Sequence, residues 1–502
     1  MNRETWSSKV GLILAMAGGA VGLGNFIRFP LQAVSNGGGT FMIPYFVAFF
    51  LLGIPLMFVE WGLGRYGGSK GHATLPGIFC SIKNSIVLKL VGIFGIMIPL
   101  TIMSYYSFIE SWTLGYSIFS LSGKFSAGLT PEQSSAIFSD YASLKSFWFP
   151  YSLFIFILFL NGYILYRGIS DGIEKVAKIL MPLLFIFAFF LVIRVFTLGT
   201  PDPSLPDNNI MNGLKFLWTP DFSKLGEFKI WLAAAGQIFF TLSLGLGAIA
   251  CYASYVKKDD DIVTPAIATS TINEVAEVCL GGSIAIPLAV AFFGVTGAIG
   301  IASTAGLGFG FVTLPLLFAK LPFGFIFSSM WFILLFFAAI TSSISMGAIV
   351  IAFFSEVIGF SKKTSCLITM GLVCLLGHWS IFVPGAIDEM DTLAGTYGLV
   401  LFALIEIYVW VYLFGFNASW EELVRGSRIK LWSGIKWIIA IITPLYLIII
   451  ISGWLYQDAG KVFFLKGVPE GEIIYRWLTR IILFITFIGL SLLTIKKKKN
   501  EK

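Results

Sequence analysis

The sequence predicts an all-α polytopic membrane protein of about twelve transmembrane helices, an inverted five-plus-five helix repeat with helices 1 and 6 broken. Three observations predict it. Of 502 residues, 57% are hydrophobic and only 12% charged, whereas a soluble domain carries about a quarter charged residues. Mean hydropathy is +0.88, and apolar runs of spanning length, about 20 residues each, recur along almost the whole chain. Two of those runs, the first and the sixth, are interrupted at mid-depth by glycine, hydroxyl and amide residues.

The first run, residues 11–35, reads Gly18-Gly19-Ala20-Val21-Gly22-Leu23-Gly24-Asn25 at its centre. Each glycine costs about 1 kcal/mol relative to alanine in a helix interior, so a break is expected there. The second run, 40–65, contains Glu60, and the third, 87–120, contains Glu110. The fourth, 147–166, and the fifth, 173–197, follow closely. The sixth, 229–254, repeats the anomaly in Phe240-Thr241-Leu242-Ser243-Leu244-Gly245-Leu246-Gly247. The seventh, 262–293, carries Asn273 and Glu277, and the eighth, 323–356, carries Thr341-Ser342-Ser343. Residues 363–383, 387–414, 434–455 and 473–495 complete the set. The matching breaks divide the chain into a first repeat over 1–200, a second over 201–415, and two further helices with a basic tail over 416–502.

Thirty-four Lys and Arg against 27 Asp and Glu leave a net charge of +7. In a soluble protein that surplus would raise the question of nucleic acid; here it reads as topology. With both termini in the cytoplasm, 22 of the Lys and Arg fall on that side and nine on the other, as the positive-inside bias requires. The expected place is therefore a bacterial plasma (inner) membrane, with the lipid bilayer as partner and no nucleic acid. The tail Lys496, Lys497, Lys498 and Lys499 reads as a stop-transfer anchor in preference to a regulatory lipid-binding patch. No signal-peptide pattern precedes the first run, so that helix is expected to be retained. Residues 200–225, rich in Pro, Asp and Asn, form the longest polar segment and are placed outside. No soluble segment is large enough for a catalytic domain, so the chain is not expected to be an enzyme. Cys80, Cys251, Cys279, Cys366 and Cys374 are scattered, which argues against a disulfide framework and for small buried hydrophobes. His72 and His378 are too far apart for a metal cluster.

Unwound backbone is tolerated at membrane depth only where it lines a cavity, and its freed N–H and C=O groups then become ligands. Glycine also admits a ligand close to the backbone. The competing reading is tight helix packing through small residues, which Gly18 with Gly22 would fit. A dinucleotide loop is weaker still, since no strand precedes the glycines. Paired breaks in the first and sixth helices point to an inverted-repeat secondary carrier. Asn25, Thr241, Ser243, Asn273, Thr341, Ser342 and Ser343 supply neutral oxygens from four helices, a set suited to a dehydrated monovalent cation. Glu60, Glu110, Glu277 and Arg28 are ionisable groups inside spans and are functional candidates by default.

The strings Arg3-Glu4-Thr5-Trp6, AVGLGNFIRFP (20–30), NGGGTFMIPY (36–45), YYSFIESWTLG (105–115), GQIFFTLSLGLGAI (236–249), NEVAEV (273–278), TSSIS (341–345) and DEMD (388–391) carry a resemblance. The chain resembles the neurotransmitter:sodium symporter family, its bacterial leucine-transporter branch above all, from residue 3 through the last helix.

That resemblance implies two sodium ions. One would be held by the Ala20 carbonyl, Asn25, Thr241, Asn273 and the substrate's carboxylate. The second would take carbonyls of Gly18, Val21 and Ala338 with hydroxyls of Thr341 and Ser342. A substrate α-carboxylate would meet N–H groups of Leu23 and Gly24 and the Tyr106 hydroxyl, and its ammonium the carbonyls near Ala20, Phe240 and Thr241 plus Ser243. Gly22 stands where amine-carrying members place an aspartate, which implies a substrate that brings its own carboxylate. Ile102, Tyr106, Phe240, Leu246, Ser342 and Met346 would line a pocket for a neutral side chain. Gly19, Leu246 and Met346 depart from the leucine-carrying branch, so its preference does not transfer. Glu277 would substitute for chloride. Arg28 and Asp391 match an outer gate, with Tyr106 and Phe240 as its aromatic lid; Arg3, Trp6, Ser254 and Tyr255 match an inner one, with Glu356 as the acidic partner. The implied activity is sodium-coupled, chloride-independent import of neutral, aliphatic amino acids by alternating access, and the resemblance leaves room for a homodimer. A transporter-like receptor would need a large cytoplasmic domain, and a membrane enzyme a catalytic pair at depth; neither pattern is present.

Overall fold

The computed structural model describes residues 4–126 and 128–500, and every regular element among the described residues is helical. Arg3 and the side chains of residues 496–499 lie outside them. Among the described residues, nine helices are long and apolar enough to cross a membrane, or ten when the bent pair Lys9–Ala20 and Gly24–Ser35 counts as one span. Two physical considerations bring the total to the expected twelve. The apolar helix Trp148–Phe196 has 49 residues and would be about 74 Å long if straight, more than twice a bilayer core. It turns back at Gly168, whose φ of 84° only glycine adopts readily, and so makes two spans. The sixth span fails the length test because its halves, Phe228–Thr241 and Ala248–Ala253, are separated by six non-helical residues.

The spans are α1 (Lys9–Ala20 with Gly24–Ser35), α2 (Gly39–Ser69), α3 (Phe94–Leu121), α4 (Trp148–Gly168), α5 (Lys175–Phe196), α6 (Phe228–Thr241 with Ala248–Ala253) and α7 (Val263–Ala305). The rest are α8 (Gly324–Ile358), α9 (Lys362–Phe382), α10 (Ala386–Leu413), α11 (Gly434–Phe464) and α12 (Glu470–Ile495). Within α7 the helical geometry fails at Gly294 (φ 67°, ψ 171°), which ends the span proper.

Residues 200–225 differ from the expected loop. They contain the helix Ile210–Trp218, started by Asn209, whose side-chain oxygen accepts the Asn212 N–H at 2.8 Å. Ile210 and Leu217 are buried where this helix packs on α7. Nine residues are too few to register as a span. Cys279 is exposed, unlike the buried Cys251 and Cys366, so not every cysteine is an interior filler.

The interior is organised around α1, α3, α6 and α8. Most residues of α3 and α8 are buried, and these two helices share the most extensive packing in the molecule. The second half of α6 lies directly on α2. A Cβ at Gly64 would stand 2.3 Å from the Ala250 carbonyl oxygen, and one at Gly68 would stand 2.0 Å from that of Ser254. Small residues let helix backbones approach in a membrane, where no hydrophobic drive operates between helices.

Gly64→Ala should therefore destabilise the protein by about 1–3 kcal/mol, the usual cost of overpacking. Gly489→Ala in α12, where nothing lies within 4 Å, should leave it unchanged. Thermal unfolding of both variants in detergent checks the difference.

Candidate functional site

The break in α1 begins where its hydrogen-bond ladder stops. The Val21 N–H still reaches the Ala17 carbonyl at 2.7 Å, but Val21 itself is extended (φ −70°, ψ 105°), and the chain turns by 52° before the second half. The Gly22 N–H is taken by Asn25 Oδ1 at 2.8 Å, and the Leu23 N–H points to the Tyr106 hydroxyl at 3.4 Å. None of the glycines in this break has a positive φ. They are there for space. A Cβ on Gly24 would lie 2.6 Å from the Phe240 ring, one on Gly22 3.0 Å from Ser342 Oγ, and one on Gly18 3.0 Å from Thr341 Cβ.

The break in α6 uses glycine differently. Ser243, Gly245 and Gly247 have φ of 54°, 71° and 78°, so the backbone winds through left-handed conformations that only glycine adopts without strain. Glu60 from α2 holds it: the buried carboxylate accepts the Gly245 N–H at 2.7 Å. This gives one of the ionisable candidates a definite task. The Ser243 hydroxyl spans the two breaks by donating to the Gly19 carbonyl at 3.0 Å.

Between the breaks lies a cavity of about 50 Å³, lined by Ala20, Gly22, Leu23, Gly24, Ile102, Tyr106, Phe240, Ser243, Leu246, Ser342, Met346 and Leu399. Eleven of these are the expected substrate residues. Thr241, also expected, does not line the cavity; its hydroxyl turns away into a neighbouring polar cluster. Leu399 was missed. A leucine in a leucine-rich helix carries no signal of its own, but Gly245 does, since a Cβ there would stand 2.1 Å from the Leu399 carbonyl oxygen.

The polar cluster joins α1, α6 and α7. Asn25 Nδ2 donates to Thr241 Oγ1 at 3.0 Å, Asn273 Oδ1 at 2.9 Å and Glu277 Oε2 at 3.1 Å. Asn273 Nδ2 donates to Thr241 Oγ1 at 3.0 Å, the Thr241 hydroxyl donates to Glu277, and Gln237 Nε2 reaches Glu277 Oε1 at 2.7 Å. Asn25, Thr241, Asn273, Gln237 and Glu277 are all wholly buried. The Asn25 amide thus presents a partial positive charge to three oxygens. Turned about its χ2, and giving up the Gly22 N–H, it would present Oδ1 to the same point, and with the oxygens of Thr241, Asn273 and Glu277 it would make a donor set suited to a monovalent cation. Gln237 was not among the expected residues, because a single amide in an apolar run resembles any interhelical hydrogen bond.

A second oxygen set lies on the other side of the α1 break. Ser342 Oγ lies 3.4 Å from the Gly18 carbonyl and 3.1 Å from that of Ala338, and Thr341 Oγ1 lies 3.1 Å from the Ala338 carbonyl. With the Val21 carbonyl, freed by the end of the ladder, these are the atoms expected to hold a second ion. Glu110 does not enter either set. It is buried against Ser343 at 2.5 Å and Asn161 at 3.1 Å, bracing α3 on α8 and α4.

Above the cavity, Asp391 accepts the Tyr105 hydroxyl at 2.7 Å, while the Arg28 guanidinium sits 4.4 Å from the Phe240 ring centroid. No salt bridge within 4.0 Å joins Arg28 to Asp391 among the described residues; the two instead face separate aromatic partners, Phe240 for Arg28 and the Tyr105 hydroxyl for Asp391. Below it, Trp6 packs edge-on against Tyr252 at 5.3 Å and donates from Nε1 to the Tyr252 carbonyl at 3.1 Å. The Ser254 hydroxyl donates to the Cys251 carbonyl at 2.6 Å, and Glu356 accepts the Ala73 N–H at 2.7 Å.

A model described as the sodium:neurotransmitter symporter family matches residues 3–131 and 146–493. An uncharacterized sodium-dependent transporter of Methanocaldococcus jannaschii is 32% identical over 483 residues, covering 92% of each chain. A sodium- and chloride-dependent glycine transporter 2 of Xenopus laevis is 25% identical over 554 residues, covering 95% of this chain and 67% of its own. The crystal structure of MhsT in complex with L-phenylalanine superposes with a TM-score of 0.77 at 29% identity, over 89% of this chain and 99% of that one.

Proposed function

The chain belongs to the sodium:neurotransmitter symporter family, and on that premise we propose that it imports neutral, aliphatic amino acids with two sodium ions, without chloride, by alternating access. Sodium-coupled membrane transport comes with the family; the substrate, the ion count and the chloride independence are our reading. The observation that carries it is the floor of the cavity. At Gly22 no side chain occupies the space facing Ser342 and Tyr106, and the Leu23 N–H and Tyr106 hydroxyl meet there at the start of a half-helix. A helix start favours an anion, so a substrate that brings its own carboxylate fits this place.

The carboxylate would lie between these donors and the Asn25–Thr241–Asn273 cluster, where it completes the shell of one sodium ion. Each ligand then favours the other. The ammonium has the carbonyls left free by the two breaks and the Ser243 hydroxyl. Ile102, Leu246, Met346 and Leu399 offer only apolar contact, which supports a neutral side chain; aromatic substrates are the nearest competitors, given the phenylalanine bound by MhsT. The proposed orientation has both termini in the cytoplasm, supported by the lysine and arginine distribution. Glu277 would supply a fixed negative charge to balance sodium, in contrast to the chloride dependence named for the frog glycine transporter.

Removing the substrate carboxylate should leave those donors and one ion short of a ligand, at about 1–3 kcal/mol for each unpaired group. Competition binding with leucine, alanine, methionine and their decarboxylated amines, in sodium and in potassium, should find the amines at least about a hundredfold weaker. An amine that competes as well as its amino acid overturns the role given to Gly22. Separately, native uptake should persist when gluconate replaces chloride, and Glu277→Ser should acquire a chloride requirement; native uptake that stops in gluconate refutes the assignment of Glu277.

A further inference from the structure

The outer end of α10 is held from behind by α12, a helix on which no part of the proposed transport cycle draws. Glu389, in the first turn of α10, is buried with a side chain only 1% exposed, and Arg480 Nε lies 2.6 Å from its Oε1. Arg476 approaches the same carboxylate at 3.7 Å and bridges Asp388 at 3.2 Å and Glu472 at 2.8 Å. Arg480 Nη2 also donates to the Val462 carbonyl at 2.6 Å, in the last turn of α11, where a cation complements the helix dipole. One guanidinium thus joins the outer ends of α10, α11 and α12. Both arginines are largely buried, with side chains 9% and 16% exposed, unlike the exposed surface pairs that contribute little.

Two residues beyond Glu389 stands Asp391, the acceptor of the Tyr105 hydroxyl. Successive helical residues are about 100° apart, so Glu389 and Asp391 point from nearly opposite faces of the same turn. A tie on one face fixes the rotation and height of the other. We propose that Arg480, through Glu389, is a positioning residue for the outer gate: it holds the first turn of α10 so that Asp391 stays within reach of Tyr105 and the Arg28–Phe240 pair when substrate is enclosed. α12 becomes a working part of outer closure.

The inference rests on the outer-gate reading of Asp391, and the experiment separates the two. The purified full-length protein is loaded in sodium with radiolabelled L-leucine or L-phenylalanine, whichever gives the larger sodium-dependent thermal shift, and the dissociation rate is measured. Arg480→Met should speed dissociation about tenfold and raise KM while leaving maximal transport within about twofold. A merely structural loss would lower the amount of folded protein without changing the rate from the molecules that remain. Asp391→Asn should speed dissociation similarly, and combining the two should add little. If Asp391→Asn is fast but Arg480→Met is native-like, or if the double variant is fully additive, the tie to α12 is refuted. If Asp391→Asn itself is native-like, the gate reading falls and the inference with it. Should Arg480→Met not fold, Glu389→Gln removes the same charge pair with its shape retained, and the same outcomes apply.

Discussion

Everything in this molecule depends on how it satisfies backbone groups that two broken helices leave open in the middle of a membrane. An unpaired carbonyl or N–H in hydrocarbon costs several kcal/mol, so neither break could stand alone. Each is answered by the other and by a few fixed partners. Ser243 of α6 donates to Gly19 of α1, Asn25 folds back onto the Gly22 N–H, Tyr106 of α3 meets the Leu23 N–H, and Glu60 of α2 captures the Gly245 N–H. What these partners leave over, the carbonyls at the end of the first half of α1 and the hydroxyls of α8, is what the proposed sodium ions and substrate would pair. On that proposal the breaks are incomplete in a particular way, and the ligands supply the missing part.

The two breaks reach this state by different uses of one residue. In α1 none of the glycines has a positive φ, and they serve to bring Phe240, Ser342 and Thr341 against the chain. In α6 they provide left-handed turns, and Glu60 pins the result. This difference bears on the proposed alternating access. The α1 segment is held by side chains from α3, α6 and α8. The α6 segment is instead anchored to α2, against which its second half lies with no Cβ between them at Gly64 and Gly68. Ser243 and the Asn25–Thr241–Asn273 cluster link the two breaks directly.

Most of this was legible in the sequence wherever a residue stood out against its surroundings. Four glycines within seven positions contradict a helix, as do Thr241, Ser243, Gly245 and Gly247 inside an apolar run, and the span boundaries found by hydropathy lie within a few residues of the helices except at α3, which starts seven residues later, α7, whose helix runs past the Gly294 kink to Ala305, and α11, which runs nine residues longer. Leu399, Gln237 and Tyr105 were not legible, because each is an ordinary residue for its helix and acquires its role only from what tertiary packing places opposite it. The helix Ile210–Trp218 was read as loop because its flanking Pro, Asp and Asn dominate the composition. The ties from α12 were invisible for a similar reason: Arg476, Arg480 and Glu472 look like solvent-facing charges near a helix end until Glu389 is found buried between them.

The central claim is that substrate carboxylate and sodium complete one shared shell, so each must raise the other's affinity by the same factor. The direct test measures L-leucine affinity for the purified protein as sodium replaces potassium at constant ionic strength, and then sodium affinity with and without saturating leucine. The account predicts a sodium-dependent gain of about 5–150-fold, the usual range for such coupling, and the same factor from both directions. Equal leucine affinity in sodium and potassium would contradict it.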